Sequence, residues 1–261
     1  MSSSHGIFCW YELMTSDAKA AEAYYRDVVG WTAKDAGMPD HAYTLLSAGD
    51  AQIGGLMTLP ADACAAGARP AWNGYIAVDD VDDYAARVTK AGGTIHRAPA
   101  DIPGIARFAV AADPQGATFM LLKGFGDATP QWPGPTTRGH VGWRELFAAD
   151  WERAFAFYSE LFGWTKGEAF DMGPMGTYQL FNIKGAQAGG MMTKTKEMPQ
   201  PFWLYYFHVE DIDAAGARVT KGGGRIMHGP MEVPGGSWII QCGDPQGALF
   251  ALVGPRVTAK A

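Results

Sequence analysis

The chain has little of what marks a secreted, membrane-bound or nucleic-acid-binding protein. Only three of its 261 residues are cysteine: Cys9, Cys64 and Cys242. They are scattered, odd in number and outside any C-x-x-C spacing. That pattern excludes a disulfide framework or a cysteine zinc site and fits reduced thiols. No apolar run approaches the roughly 20 residues that cross a bilayer. The start, MSSSHGIF, lacks the basic region and apolar core of a secretory signal. The expectation is a cytoplasmic protein with no membrane partner. Positive charge is also scarce. There are 21 Lys+Arg against 27 Asp+Glu, for a net charge of −6. The first 130 residues hold 9 basic and 15 acidic residues, and the remainder holds 12 of each. Neither half carries a basic stripe, so nucleic acid is not expected as a partner.

What is present is an internal repeat. CWYELMTSD (9–17) answers GWRELFAAD (142–150). YYRDVVGW answers FYSELFGW, IGGLM answers AGGMM, and RVTKAGG answers RVTKGGG. ADPQGATFMLL answers GDPQGALFALV, and the offsets stay between 131 and 135. Two long copies mean a duplicated domain, not a solenoid. The expected domains are 1–125 and 139–255. The segment 126–138, GDATPQWPGPTTR, is a Pro- and Gly-rich linker, and the last eight residues read as a frayed tail.

Each copy reads as βαβββ twice. In the first, residues 6–14 form a strand. Asp17 caps a helix with Ala20, Tyr24 and Val28 on one face, ended by Gly30. Three short strands follow over 31–59. A strand over Asn73–Val78 leads to Asp80, which caps a second helix ended by Gly92-Gly93. Three more strands fill 94–122, with ADPQG forming a type I turn before the last. The fold class expected is α+β: tandem βαβββ modules making two domains with curved, mixed sheets.

This run of motifs resembles the vicinal oxygen chelate superfamily. It carries a strand, then a capping Asp, then an aromatic pair and G-W, a later strand ending VDDVD, and DPQG before the final strand. The superfamily includes glyoxalase I, extradiol dioxygenases and the bleomycin resistance proteins. The W-x-E-L opening and FGW are similar to two-domain glyoxalase-like proteins of bacteria. The resemblance implies four metal-ligand positions at the open face of a cup. Carried over one at a time, the first falls on Trp10 and Trp143. The second falls on Asn73 and Leu204, and the last on Met120 and Ala251. The fourth lies in the strand around IGGLM and AGGMM, with only Gln52 and Gln187 nearby. A divalent ion needs several N or O donors. No cofactor is therefore expected. A metal enzyme with an atypical site, using His208, Glu145 or His228, stays open as an alternative.

Strand alternation then selects other residues for the cup. Trp10 and Glu12 share a strand face, as do Trp143 and Glu145. Asn73, Tyr75 and Ala77 share one, as do Leu204, Tyr206 and His208. Glu12, Glu145 and His208 are the candidate catalytic groups. A carboxyl in an apolar cup is pushed towards neutrality by desolvation, which suits a base that abstracts a proton from carbon. Trp10, Asn73, Tyr75, Trp143 and Tyr206 are the candidate substrate-binding residues. The tryptophans suit stacking on a small organic, flat or aromatic ligand. The alternative for each Glu is structural: it accepts a bond from a Tyr, a Trp or Arg144. Trp31 and Trp164 read as core. Cys242 has no His partner to make it a nucleophile. The expected function is a glyoxalase-like lyase or isomerase. A binding protein that sequesters an antibiotic-like molecule is the second reading. Cups built within one chain or across a homodimer both fit the repeat.

Overall fold

The computed structural model describes residues 4–38, 42–126 and 137–257. The first copy runs β1 (Phe8–Thr15), α1 (Ala18–Val29), β2 (Thr32–Asp35), β3 (Tyr43–Ala48), β4 (Ala51–Thr58) and a short α2 (Ala61–Ala65). It continues β5 (Ala71–Ala77), α3 (Val81–Lys90), β6 (Thr94–Ile102), β7 (Ala106–Ala112) and β8 (Thr118–Gly124). The second copy runs β9 (Val141–Ala148), α4 (Trp151–Phe162), β10 (Thr165–Asp171), β11 (Thr177–Ile183) and β12 (Ala186–Thr193). It ends β13 (Phe202–His208), α5 (Ile212–Lys221), β14 (Arg225–Glu232), β15 (Trp238–Gly243) and β16 (Leu249–Gly254). Each copy is therefore βαβββ twice, as its periodicities predict. The α2 turn is an addition the sequence reading did not contain. Most of the expected linker, 127–136, and the last four residues of the expected tail, 258–261, lie outside the described residues, while Gly254 at the start of that tail ends β16.

Two eight-stranded mixed sheets result. Their orders are β2-β3-β4-β1-β5-β8-β7-β6 and β10-β11-β12-β9-β13-β16-β15-β14. Hairpin neighbours pair antiparallel. The β1–β4, β5–β8, β9–β12 and β13–β16 pairs are parallel. Each parallel pair needs a crossover, and the helix of each module supplies it.

The helices start and stop where the sequence marks them. Asp17 accepts from the Ala20 N–H, and Gly30 closes α1 at φ +89. Asp150 and Gly163 do the same for α4. Each such N-cap contributes about 1 kcal/mol. The buried face of α1 is Ala21, Tyr24, Tyr25, Val28 and Val29. Four tryptophans are core: Trp31, Trp72, Trp164 and Trp203 are all nearly inaccessible.

The chain divides into two compact units that cut across the repeat. One joins the N-terminal residues up to Trp10, the second module of copy one from Asn73, and the first module of copy two, Arg144–Trp203. The other joins Tyr11–Trp72 with the second module of copy two, from Leu204. Each unit is fastened by the same relay. In one, the Trp203 indole donates to the Tyr158 hydroxyl, and Tyr158 donates to Asp113 at 3.2 Å. In the other, Trp72 donates to Tyr25, and Tyr25 donates to Asp244 at 3.0 Å. The same two aspartates also accept backbone N–H groups of their own DPQG turns. Burial raises the pKa of both carboxyls, and the turn N–H groups oppose it. So the Asp of DPQG does more than start a turn. It is the buried acceptor on which a helix of the other copy is anchored.

Candidate functional site

Packing fills one face of β1 and β9 with core side chains, while Phe8 and Phe147 on the other face are buried as well. On β1, Tyr11 lies edge-on to Tyr205 and Leu13 is fully buried. On β9, Leu146 is fully buried, and Arg144 is buried with its guanidinium over Phe8 and a bond to the Ala188 carbonyl. These side chains belong to the core face. Trp10, Glu12, Trp143 and Glu145 occupy the alternate positions of the same strands. Trp10 and Trp143 are half-buried, whereas Glu12 and Glu145 are only 4% and 6% exposed.

Glu12 has a partner that the sequence did not reveal. The Tyr43 hydroxyl donates to Glu12 Oε2 at 2.9 Å. Three adjacent strands build this contact. Glu12 on β1 is in register with Gly55 on β4. Gly55 is in register with Leu45 on β3, and Tyr43 lies two residues before Leu45 on the same face. The Tyr43 ring leans across Gly55 so closely that a Cβ there would stand 2.0 Å from its hydroxyl oxygen. Copy two repeats the construction. Glu145 on β9 is in register with Gly190 on β12, and Gly190 with Leu180 on β11. Tyr178 lies over Gly190, where a Cβ would stand 2.3 Å from Cζ of the ring. The second glycine of IGGLM and of AGGMM is thus a slot for a tyrosine ring. The first glycine allows close strand approach: a Cβ at Gly54 or Gly189 would strike the Tyr11 or Arg144 carbonyl oxygen.

The other candidates are placed as follows. Asn73 and Tyr75 are buried on β5, and the Cys9 thiol donates to the Tyr75 carbonyl at 3.5 Å. Burial pushes that thiol up to about 12, so Cys9 is not a thiolate at neutral pH. Tyr206 is buried on β13 and its hydroxyl accepts from Gln241 Nε2 at 2.8 Å. Ala251 lies in register between them. The corresponding row in copy one is Tyr75, Met120 and Val110, so the polar pair exists only in copy two. His208 is half-buried at the end of β13, and burial lowers its pKa below 6.5. Glu145 and His208 belong to different units. Burial also holds the Cys242 thiol up, to about 12.

The donor set does not fit a divalent ion at the positions the fold would use. Trp10, Trp143, Leu204, Met120 and Ala251 offer no oxygen or imidazole ligand, and Asn73 alone adds one amide oxygen. Among the described residues, no group of three or more His, Cys, Asp or Glu is placed to hold a metal.

Tyr43 and Tyr178 are the residues that sequence reading missed. The signal was there. Both tyrosines recur at an offset of 135, each twelve residues before the second glycine of its pair.

Comparison with known proteins agrees with this architecture. The family model described as Glyoxalase/Bleomycin resistance protein/Dioxygenase superfamily matches residues 7–121 and again 138–252. A Mycobacterium tuberculosis protein named "Putative glyoxylase CFP32" is 30% identical over 255 residues, covering 94% of each chain. The "Anthracycline biosynthesis protein DauV" of Streptomyces sp. (strain C5) is 30% identical, covering 95% of this chain and 93% of its own. Among solved structures, the Mn(II)-bound glyoxalase from Novosphingobium aromaticivorans superposes with a TM-score of 0.65 at 15% identity. It covers 97% of this chain and 83% of its own. The 2,2',3-trihydroxybiphenyl 1,2-dioxygenase of Sphingomonas wittichii strain RW1 gives the same score and identity, covering 97% and 91%. At that identity the solved structures speak for the fold. Matched twice over nearly its whole length, the chain belongs to the Glyoxalase/Bleomycin resistance protein/Dioxygenase superfamily, as a protein of two tandem glyoxalase-like domains.

Proposed function

We propose that the protein is a lyase or isomerase of glyoxalase type. It acts on a small, flat organic molecule by carboxylate acid/base chemistry, without a divalent ion at the usual position. The observation that carries this is the pair of glutamates, Glu12 and Glu145. Each is buried, and each lies in register with a glycine roofed by a tyrosine. A buried carboxylate costs stability unless it is bonded, and duplication has kept it in both copies. In the reaction, a Glu oxygen takes a proton from a carbon next to a carbonyl, and the C–H electron pair moves into that carbonyl. The proton then returns to a different carbon, or a group departs from the neighbouring carbon. Trp10 and Trp143, two residues before each glutamate and half-buried, supply faces for a flat ligand. His208 is the further acid/base candidate. Asn73, Tyr75 and Tyr206 are the polar contacts of the substrate. The names of two relatives, a putative glyoxylase and an anthracycline biosynthesis protein, support a small-molecule and aromatic ligand class.

The reading is tested in two steps. Quenching of tryptophan fluorescence across a panel of aryl ketones, quinones and hydroxyaromatics identifies a ligand. Glu12→Gln and Glu145→Gln together then abolish turnover while quenching persists. Binding without turnover in the unsubstituted protein would instead make it a sequestering protein. Metal analysis with a chelator control completes the test, because one tightly held ion per domain would displace this mechanism.

A further inference from the structure

We infer that Tyr43 and Tyr178 are positioning residues for the two glutamates, and that the second glycine of each Gly-Gly pair exists to admit the tyrosine ring. This rests on the base assignment above and adds to it. A carboxylate side chain has three rotatable bonds, and a base works only when its oxygen is held near one place. The Tyr43 hydroxyl fixes one Glu12 oxygen at 2.9 Å. Its reach across β4 is possible only because residue 55 has no side chain, the hydroxyl lying 2.0 Å from where a Cβ would be. In copy two the same strands carry the same three residue types in the same register: Tyr178, Gly190 and Glu145. Mere packing would be met as well by Phe over Gly. A phenol that ends at a carboxylate, beside a glycine that admits it, fixes direction as well as volume.

Two readouts test this in a Glu145→Gln background, where Glu12 is the remaining carboxylate of the pair. The first is infrared. The Glu12 carboxyl band is the one lost in Glu12→Gln, and it shifts in both Tyr43→Phe and Gly55→Ala because the phenol donor leaves. The second is exchange in D2O of the acidic C1 protons of 2-tetralone, a benzo-fused ketone whose C1 lies between ring and carbonyl. Tyr43→Phe slows that exchange by about tenfold or more. Its 2-tetralone affinity, from fluorescence quenching, stays at the background value, while its melting temperature falls because the buried Glu12 loses a bonding partner. An unshifted band in both variants overturns the inference. So does a shifted band with exchange at the background rate, since the bond would then only pack. If Glu12→Gln exchanges as fast as the background protein, the base assignment itself fails, and the positioning role falls with it. The two failures are told apart by which variant is silent.

Discussion

A tryptophan at the position where the superfamily resemblance implies a metal ligand changes what a site can hold. Trp10 offers a large apolar face and a single N–H, and it is only half-buried on its strand. Stacking on such a face contributes through area and ring geometry. Trp10→Ala therefore weakens 2-tetralone binding by roughly tenfold, about 1.4 kcal/mol, measured by calorimetry so that loss of the fluorophore does not confuse the reading. Unaltered affinity in both Trp10→Ala and Trp143→Ala would remove the stacking role. Glu12 was legible at this scale because a carboxylate between apolar residues is anomalous, and more so when it occurs twice. Its partner was not legible. Tyr43 lies 31 residues away and meets Glu12 only through the register of three strands. A sequence states which residues alternate on a strand. It does not state which strand lies beside which, or how far one slides along the other.

At the scale of elements, the helix signals were read almost completely from the sequence. Asp17 and Asp80 cap the helices expected of them, Asp150 caps α4 in the same way, and Gly30 and Gly163 take the left-handed conformation that ends α1 and α4. These signals are local, so the sequence carries them. The DPQG turn was equally local, but its carboxylate was not. Asp244 accepts from Tyr25 across 219 residues, and that distance in sequence hides the bond. Tyr25→Phe keeps the ring and removes the donor to a buried carboxyl. It also leaves the Trp72 indole N–H without its acceptor. Each buried polar group stripped of a partner costs roughly 1–3 kcal/mol. The expected loss of unfolding free energy for Tyr25→Phe is about 2 kcal/mol, with a similar loss for Tyr158→Phe. Denaturant titration measures both, and a loss under about half a kcal/mol in each would deny the relays their role.

For the molecule as a whole, burial gives stability a definite acid limit. His5, His140 and His208 all have pKa values below the ordinary 6.5, and desolvation is the first cause in each. The fold holds these imidazoles neutral, whereas the unfolded chain takes up protons as the pH falls through 6.5. The stability they contribute is thus present above pH 6.5 and is lost as the pH drops through their folded values. The melting temperature is expected to fall between pH 7.5 and 5.5, with a shallower fall in His140→Asn. An identical slope in the variant would contradict this. The duplication explains why the fold was so legible at this scale: two copies of one pattern confirm each other. It also explains what was hidden. The compact units each pair a module from one copy with a module from the other, so partners such as Tyr25 and Asp244 lie far apart in the sequence.

The proposed chemistry depends on the two buried glutamates acting as bases. The most direct measurement is the rate at which the C1 protons of 2-tetralone exchange in D2O, followed by NMR, with the unsubstituted protein and with Glu12→Gln/Glu145→Gln. Exchange well above the buffer rate is expected for the first and none above it for the second, with fluorescence quenching equal in both. Equal exchange rates in the two proteins, at equal occupancy, would contradict it.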